Sequence, residues 1–309
     1  MRLAHVINRA RDELRPIALR LRHEALRRRP SRVFAGVWGL RWRVEQANAL
    51  DWDLVGNRGV SQPEIPAVIG LATSRAMAVD VGANAGYWTL PLAASFARTL
   101  AIEPNPAMVA KLKRNLALNP GLERRVRIVA GAASGSRGEL RLHLRGIIGD
   151  DARYNTGMGS TVARDLVRRT LVVPATTVDD ECLGHAGPVG LIKIDVEGAE
   201  ASVLTGARGI LARDAPVVLW EANLTLDRQL DRDNVEASLR LLDGAGYRHW
   251  GLYRPAGAVE IEGYACVAER GVDVDILSLP GSRSGEEVAD ALAKATHWLS
   301  APRATPSWL

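Results

Sequence analysis

Short apolar segments recur along the middle of the chain, with longer amphipathic segments between them. Five of these apolar segments are rich in Val, Ile and Leu and end in polar or small residues, at 76–82, 99–104, 126–134, 190–196 and 216–223. Such segments are typical of strands that are buried on both faces of a parallel sheet. Apolar residues at helical spacing fill the intervals, at 85–97, 106–118, 198–213 and 231–244. The alternation predicts a doubly wound α/β sheet.

Two more apolar segments follow, YRHWGLY at 247–253 and GYACVAE at 263–269. The link between them is too short for a helical crossover, so we expect an antiparallel pair of strands. Further on, SGEEVADALAKATHWLS at 284–300 has apolar residues at helical spacing. This spacing predicts a helix that docks on the domain or on a second copy in a homodimer.

The first 43 residues are strongly basic, with twelve arginines, no lysine and three acidic residues. The formal net charge of the whole chain is +5, so about +9 lies in this segment and about −4 in the remainder. Apolar residues at helical spacing predict a kinked or broken amphipathic helix here. Packing of its apolar stripe on the chain's own domain is the favoured interpretation, and peripheral contact with an anionic membrane stays open. We expect no nucleic-acid partner, because the basic charge is confined to one end.

The chain has two cysteines, Cys182 and Cys266, at a spacing that gives neither a disulfide framework nor a paired metal-ligand motif. No apolar run is long enough to span a bilayer, and the N-terminus lacks the pattern of a signal peptide. These features predict a cytoplasmic protein.

The first predicted strand continues into a glycine-containing turn in AVDVGANAGYWTL, residues 78–90. Gly82 and Gly86 let the backbone approach a ligand and adopt positive φ. Asp80 precedes the turn and would add negative charge where a dinucleotide places its pyrophosphate. S-adenosylmethionine carries a sulfonium and an ammonium and no phosphate, so the turn favours this cofactor.

The second predicted strand ends in AIEPN, which places Glu103 seventeen residues beyond Gly86. A carboxylate at this point can accept hydrogen bonds from both hydroxyls of a ribose. NAD enzymes use an acid in the same place. Glu103 therefore predicts an adenosine-containing cofactor and leaves an NAD-dependent dehydrogenase open as an alternative.

The fourth predicted strand carries ionisable residues in LIKIDVEGAEASVL, residues 191–204. A lysine in a buried strand needs a partner, so Lys193 is predicted to form a structural ion pair. Asp195 falls where the strand meets the ligand cleft and is the stronger functional candidate, with Glu197 close behind it. Glu200 is interpreted as a charge in the first turn of the following helix.

Transfer of the sulfonium methyl to an acceptor that carries a proton calls for a base, and the carboxylates Asp195 and Glu221 end adjacent predicted strands. We favour Asp195 as this base. Two alternatives stay open: Asp195 orients the cofactor instead, or Asp195, Glu197 and Glu221 together bind Mg²⁺, which we do not favour.

Acceptor recognition is expected from segments outside the sheet. The stretch 141–165 is long and polar and suits an active-site insertion. Trp38, Trp42 and Trp52 precede the first strand and could stack on an acceptor or serve in packing, and we leave both open.

Several of these stretches together resemble the FkbM family of S-adenosylmethionine-dependent methyltransferases over residues 76–270. They are DVGANAGYWTL, AIEPNP, TTVDD, LIKIDVEGAEASVLTGA and VVLWEAN, and the block IKIDVEGAE is the most specific. The resemblance implies the class I methyltransferase (Rossmann-like) fold, with seven strands of which the last is antiparallel. It also implies methyl transfer to a hydroxyl of a sugar, a polyketide-type natural product or a cell-surface glycan, and in some members to nitrogen.

Carried onto this sequence, the resemblance marks functional residues in three motifs, of which the turn, Glu103 and Asp195 would bind the cofactor and Glu197 would join Asp195 and Glu221 as a catalytic candidate. The marked residues are Asp80, Gly82, Ala83, Asn84 and Gly86 in the turn, Glu103 at the ribose, and Asp195, Glu197 and Gly198 in the fourth-strand block. The expected partner is a small-molecule or glycan acceptor. A non-catalytic protein anchored to a membrane or partner by its basic helix is a further alternative, which the intact turn and Glu103 disfavour.

The same reasoning divides the chain into three regions. Residues 1–75 are predicted to form a basic helical N-terminal extension and lid, residues 76–270 the S-adenosylmethionine-binding methyltransferase domain, and residues 271–309 a C-terminal tail with a helix.

Overall fold

Strands and helices alternate through most of the computed structural model of the chain. The structure describes residues 31–45, 51, 54–55, 62, 64–145, 159–160, 167–224, 228–253, 257–269, 273–281 and 283–300. The amphipathic helix predicted before residue 31 lies outside the described residues. Within them, no helix combines the length and the apolar character that crossing a membrane requires.

Fourteen strands are formed by the described residues. They are β1 (Arg32–Ala35), β2 (Arg41–Val44), β3 (Met77–Val81), β4 (Arg98–Ile102), β5 (Val126–Val129), β6 (Ala132–Ala133), β7 (Gly138–Arg145), β8 (Gly159–Ser160), β9 (Val167–Thr176), β10 (Val189–Ile194), β11 (Val217–Ala222), β12 (Tyr247–Tyr253), β13 (Gly257–Ile261) and β14 (Val274–Pro280).

Nine α-helices longer than four residues, and one 3₁₀ turn at Val37–Gly39, accompany these strands in the described part of the chain. The helices are α1 (Ile65–Leu71), α2 (Thr89–Ser95), α3 (Pro106–Ala117), α4 (Val178–Cys182), α5 (Glu200–Thr205), α6 (Arg208–Asp214), α7 (Arg228–Asp243), α8 (Tyr264–Ala268) and α9 (Gly285–Ser300).

The main sheet has eight described strands in the order β13-β12-β14-β11-β10-β3-β4-β5. The run from β11 to β5 is parallel, and β14 lies antiparallel between β11 and β12. Apolar clusters cover both faces of this sheet, as expected for strands without a polar face. The predicted class I methyltransferase fold is confirmed, with its last strand antiparallel, and β13 adds an eighth strand at the edge.

The strand predicted at 263–269 is wrong, because residues 264–268 form the short helix α8. The antiparallel partners of β12 are β13 and β14 instead. A short apolar run does not distinguish a buried strand from a buried helical turn, and Val267 is fully buried in α8. Since β14 is an internal strand, the sheet extends past the predicted domain end at residue 270.

Other predicted elements hold with changed limits. The helix predicted at 198–213 is two helices, α5 and α6, that meet at Gly206. A side chain at Gly206 would overlap the backbone oxygen of Ser134, so the chain passes too close to this neighbour for any larger residue. The C-terminal helix predicted at 284–300 is confirmed as α9, which packs on α1.

A second sheet forms beside the main one, in the order β6-β9-β7-β8. The hairpin of β7 and β9 buries Leu142 and Val173 between its strands and the domain. The proposed insertion at 141–165 therefore begins as a strand. Residues 146–158 and 161–166 lie outside the described residues.

The described part of the predicted helical extension is a β-hairpin, so the helical prediction is wrong for residues 32–44. This hairpin docks on α3, where the side chain of Asn119 bonds both N–H and C=O of Arg41. Trp42 is 1% exposed and stacks on Tyr87, which identifies packing as its role. Trp52 lies outside the described residues.

Candidate functional site

The turn after β3 is held in an unusual conformation by the neighbouring strand. The N–H groups of Gly82 and Ala83 both donate to the carbonyl of Ile102, at 2.9 and 3.1 Å. φ is positive at Gly82 (76°), Asn84 (51°) and Gly86 (95°). Asn84 tolerates this conformation because its side-chain oxygen accepts the N–H of the next residue at 2.7 Å. The turn thus has the backbone geometry that its glycines predicted.

Glu103 follows β4 and is tied to the same turn. One of its oxygens accepts the N–H of Asn84 at 2.8 Å and the other accepts the N–H of Asn105 at 2.7 Å. Its side chain is almost fully buried, and this burial raises the pKa of Glu103 to about 7 against the opposing effect of the two N–H groups. Each oxygen keeps a lone pair for a further donor such as a ribose hydroxyl.

The turn and the fourth-strand block touch through their backbones. The N–H of Asp195 donates to the carbonyl of Val81 at 3.0 Å, which extends the pairing of β10 with β3. A methyl group at Gly82 would overlap the backbone oxygen of Asp195. The structure therefore brings together two motifs that are more than a hundred residues apart in sequence.

Lys193 links these motifs through its ammonium group. Its Nζ atom lies 3.1 Å from Asp195 Oδ2, 3.4 Å from the carbonyl oxygen of Gly82 and 3.8 Å from Asp80 Oδ1. Burial alone would lower the pKa of Lys193, but the carboxylates of Asp195 and Asp80 outweigh it and raise this pKa. The predicted structural ion pair is confirmed, and it has two acidic partners.

Asp80 lies beneath the turn with no exposed surface. Its Oδ2 atom accepts the hydroxyl of Thr89 at 2.6 Å. Burial raises the pKa of Asp80, and Lys193 and Thr89 act against this rise. In this structure Asp80 bonds Thr89 and lies 3.8 Å from the Lys193 ammonium, and its predicted role in holding the cofactor stays a prediction.

Three half-buried carboxylates meet at the ends of β10 and β11: Asp195, Glu197 and Glu221. One oxygen of each lies within 4.8 Å of the others. Burial is the largest cause that raises the pKa of Glu221 to about 10, and the negative charges of Asp195 and then of Asp275 add to it. Glu197 has a φ of 59°, which is uncommon for a residue other than glycine. We call these three residues the carboxylate cluster.

Sequence reasoning missed the role of Glu200. This side chain is fully buried, and one of its oxygens accepts the N–H groups of Val196 and Gly198, at 3.3 and 3.1 Å. Its other oxygen accepts the side-chain amide of Asn234 at 2.5 Å. Glu200 thus fixes the loop that presents Glu197, and the spacing V-E-G-A-E was the available signal.

Two more polar residues border the carboxylate cluster and were missed. Asn223 is buried and donates to Glu221 at 3.0 Å. Asp275 of β14 pairs with Glu221 across the sheet and helps to raise its pKa. Asp275 escaped sequence reasoning because it lies in the segment predicted as a tail.

The predicted site residues therefore all lie at or just past the carboxyl ends of four adjacent strands, β4, β3, β10 and β11. This edge is where doubly wound sheets bind ligands. Acidic side chains predominate at this edge: Asp80, Glu103, Asp195, Glu197 and Glu221 lie around Lys193, and burial raises the pKa of Asp80, Glu103 and Glu221. The arrangement can accept several hydrogen bonds and can bind a cationic group.

Comparison with solved structures gives weak global similarity to several methyltransferases. A methyltransferase FkbM from Methylobacillus flagellatus KT is 16% identical with a TM-score of 0.43, and the alignment covers 86% of this chain. The chain spans 60% of the length of that protein. An O-methyltransferase from Bacillus cereus, solved in complex with SAH, is 11% identical with a TM-score of 0.41, covering 71% of this chain and 79% of that one.

No curated protein matches the sequence. The family profile described as the methyltransferase FkbM domain matches residues 80–249, which is more than half of the chain. This range begins at the turn after β3 and ends in β12, so it includes every predicted site residue. The chain belongs to the FkbM methyltransferase family.

Proposed function

We propose that the chain is an S-adenosylmethionine-dependent methyltransferase that methylates a hydroxyl of a sugar, a polyketide-type natural product or a cell-surface glycan. The observation that carries the cofactor assignment is the charge at the strand ends. Asp195 and Glu197 present carboxylates at this edge, and the ammonium of Lys193 is already engaged by Asp80 and Asp195. A pyrophosphate would meet repulsion here, whereas a sulfonium and an ammonium would be attracted.

The residues present fit this cofactor. Glu103 is fixed by two backbone N–H groups and would accept the ribose hydroxyls. The glycines of the turn let its backbone come close to the ligand. When bound, S-adenosylmethionine would supply a methyl group on a good leaving group. The protein would then have to place the acceptor, exclude water and remove one proton.

Asp195 is the residue that we propose as the base. Its side chain is 40% exposed, and its Oδ2 atom lies 3.1 Å from the Lys193 ammonium at the end of β10. Glu221 suits a different role, because a carboxyl group with a pKa of about 10 is protonated at neutral pH. We propose that Glu221 donates a hydrogen bond to the acceptor or to Asp195. Glu197 completes the acidic wall of the acceptor site.

Mg²⁺ is not part of the proposal. The carboxylate cluster offers the oxygen ligands that Mg²⁺ uses, but clustered acidic groups are common without an ion. A proton on Glu221 accounts for the close approach of these groups without a metal.

Calorimetric titration of the full chain with S-adenosylmethionine, S-adenosylhomocysteine and NAD tests the cofactor. We expect binding of the two adenosyl-sulfur ligands and none of NAD. Glu103→Ala should abolish this binding, whereas Glu139→Ala, which removes an exposed carboxylate on β7, should leave it unchanged. NAD binding would refute the proposal in favour of a dehydrogenase, and a folded protein that binds none of the three would favour the non-catalytic alternative.

An acceptor screen with S-adenosylmethionine labelled in its methyl group tests the chemistry. The product's label should be on oxygen, and label on nitrogen would establish the alternative of N-methylation. Asp195→Asn should lower kcat about 10²–10⁴-fold if Asp195 is the base. If Asp195 only orients the cofactor, the cofactor KM should rise instead.

Partner and location stay as predictions. We propose a small-molecule or glycan acceptor, no nucleic acid and a cytoplasmic location. Peripheral membrane contact through residues 1–43 stays a prediction, and within this range the backbone of Arg41 and Arg43 in β2 is already engaged by Asn119 and Asn115. The helix α9 packs on the chain's own domain, which leaves its outer face for a homodimer.

A further inference from the structure

The segment before β3 makes buried polar contacts with the second half of the glycine turn. Tyr87 immediately follows Gly86, and its hydroxyl donates to Asp51 Oδ1 at 2.7 Å. The other oxygen of Asp51 accepts Lys111 Nζ at 2.9 Å and the N–H of Glu45 at 2.8 Å. Asp51 and Lys111 are 3% and 2% exposed, so this network is closed to solvent.

Two more contacts join the same partners. The ring of Trp42 stacks on the ring of Tyr87, with centroids 6.1 Å apart and planes at 21°. Asn115 donates from its amide to the carbonyl of Ala85 at 2.9 Å, and its oxygen accepts the N–H of Arg43 at 2.9 Å. The hairpin β1–β2, Asn115 and Asp51 therefore hold residues 85–87 through the carbonyl of Ala85 and through the ring and hydroxyl of Tyr87.

We propose that Asp51 is a positioning residue of the cofactor site, which acts on the glycine turn through Tyr87. The inference rests on the proposed function, since it assumes that this turn binds S-adenosylmethionine. It assigns a positioning role to Trp42, Arg43 and Asp51, which lie outside the stretch that matches the family profile.

The physical reason is the strain in the turn. Its residues alternate between left-handed and other conformations, including the non-glycine Asn84, and such backbones persist when surrounding contacts over-determine them. On one side these contacts come from Glu103 and Ile102. On the other side they come from Asp51, Trp42 and Asn115. A turn that loses the contacts on one side would populate other conformations. The affinity for a ligand would then fall in proportion to the fraction of molecules that keep the binding conformation.

The coupling has to work in both directions. If the hairpin favours the binding conformation of the turn, a bound ligand must stabilise the hairpin by the same factor. The N–H groups of Arg41 and Arg43, which bond to the side chains of Asn119 and Asn115, report on this docking. Their hydrogen exchange should slow when the ligand binds.

The test uses the full chain with S-adenosylhomocysteine as the probe. Tyr87→Phe removes one hydroxyl and keeps the ring, and Asp51→Asn removes the charge. The matched control is Ser278→Ala, which removes a buried hydroxyl that bonds Trp220 and His249 in the sheet interior. Each variant is measured for thermal unfolding, for Kd by calorimetry, and for hydrogen exchange of residues 41–45 with and without the ligand.

We expect Kd to rise roughly three- to tenfold in Tyr87→Phe and at least as much in Asp51→Asn, with ligand protection of residues 41–45 lost in both. Ser278→Ala should lower the unfolding temperature with unchanged Kd and protection. Unchanged Kd and protection in Tyr87→Phe would overturn the inference and leave the network a purely structural role. A wild-type chain that does not bind the probe would overturn the proposed function and this inference with it.

Discussion

Replacing Glu103 by Gln tests the burial of this carboxyl group, because glutamine has nearly the same shape and cannot ionise. In the folded protein burial raises the pKa of Glu103 from its ordinary value of 4.5 to about 7. Between these two pH values the folded state holds a proton that the unfolded state has lost. The stability from this proton is complete below about pH 4.5, falls as the pH rises, and is lost once the pH has passed through about 7.

The size of the effect follows from the same values. Each pH unit between 4.5 and about 7 is worth about 1.4 kcal/mol, so the wild-type protein loses roughly 3 kcal/mol across this range through Glu103. The variant has a cost of its own. A glutamine presents a single oxygen to the N–H groups of Asn84 and Asn105, and one buried donor without its acceptor costs about 1–3 kcal/mol. This second cost hardly depends on pH.

Urea unfolding followed by tryptophan fluorescence measures both quantities. The free energy of unfolding of Glu103→Gln minus that of wild type should increase by roughly 3 kcal/mol from about pH 4.5 to about pH 8. Comparison with wild type cancels the pH dependence of the other carboxyl groups. A constant difference over this range would refute the reasoning, since Glu103 would then ionise at its ordinary pKa. The variant should also bind S-adenosylhomocysteine more weakly at the higher pH, because it lacks the charged acceptor.

Three further changes have defined outcomes. Gly82→Ala should destabilise the fold by roughly 2–5 kcal/mol in urea unfolding, because residue 82 has a positive φ and its new methyl group would overlap a neighbouring carbonyl. The control Gly121→Ala, at a positive φ in open space, should cost about 1–2 kcal/mol. Lys193→Met should lower the free energy of unfolding by about 3–5 kcal/mol at neutral pH, because Asp80 loses its cationic partner. This loss of stability should shrink as the pH falls and Asp80 takes up a proton. A loss that persists at low pH, or in the double variant with Asp80→Asn, would contradict the ion-pair account. Chelation with EDTA should leave methyl transfer unchanged, and a loss restored by Mg²⁺ would assign the carboxylate cluster to a metal.

The parallel half of the sheet could be predicted from sequence because its strands are buried on both faces. Such strands are continuous apolar runs, and the acidic residues Asp80, next to last in β3, and Asp195, directly after β10, mark the ligand edge. The topology then requires the ends of adjacent parallel strands to meet. The proximity of Gly82 and Asp195 follows from this rule.

The antiparallel half could not be predicted in the same way. Segment 263–269 and β14 are similar apolar runs, and only their partners decide which one enters the sheet. The charge state of Glu221 was hidden for the same reason. Burial and then Asp195 raise the pKa of Glu221 most, and Asp275 adds to them only because β14 pairs with β11 and places it opposite Glu221.

The buried acidic groups at the strand ends explain why this edge is costly to the fold and useful to a methyltransferase. Burial raises the pKa of Asp80, Glu103 and Glu221, because each carboxyl group has lost the water that would stabilise its ionised form. Lys193 lies between Asp80 and Asp195, so a single ammonium is shared by two carboxyl groups. A cationic ligand would offset the negative charge that remains without competing for Lys193. Under the proposed function, this remaining charge is what would favour a sulfonium over a phosphate at the strand ends.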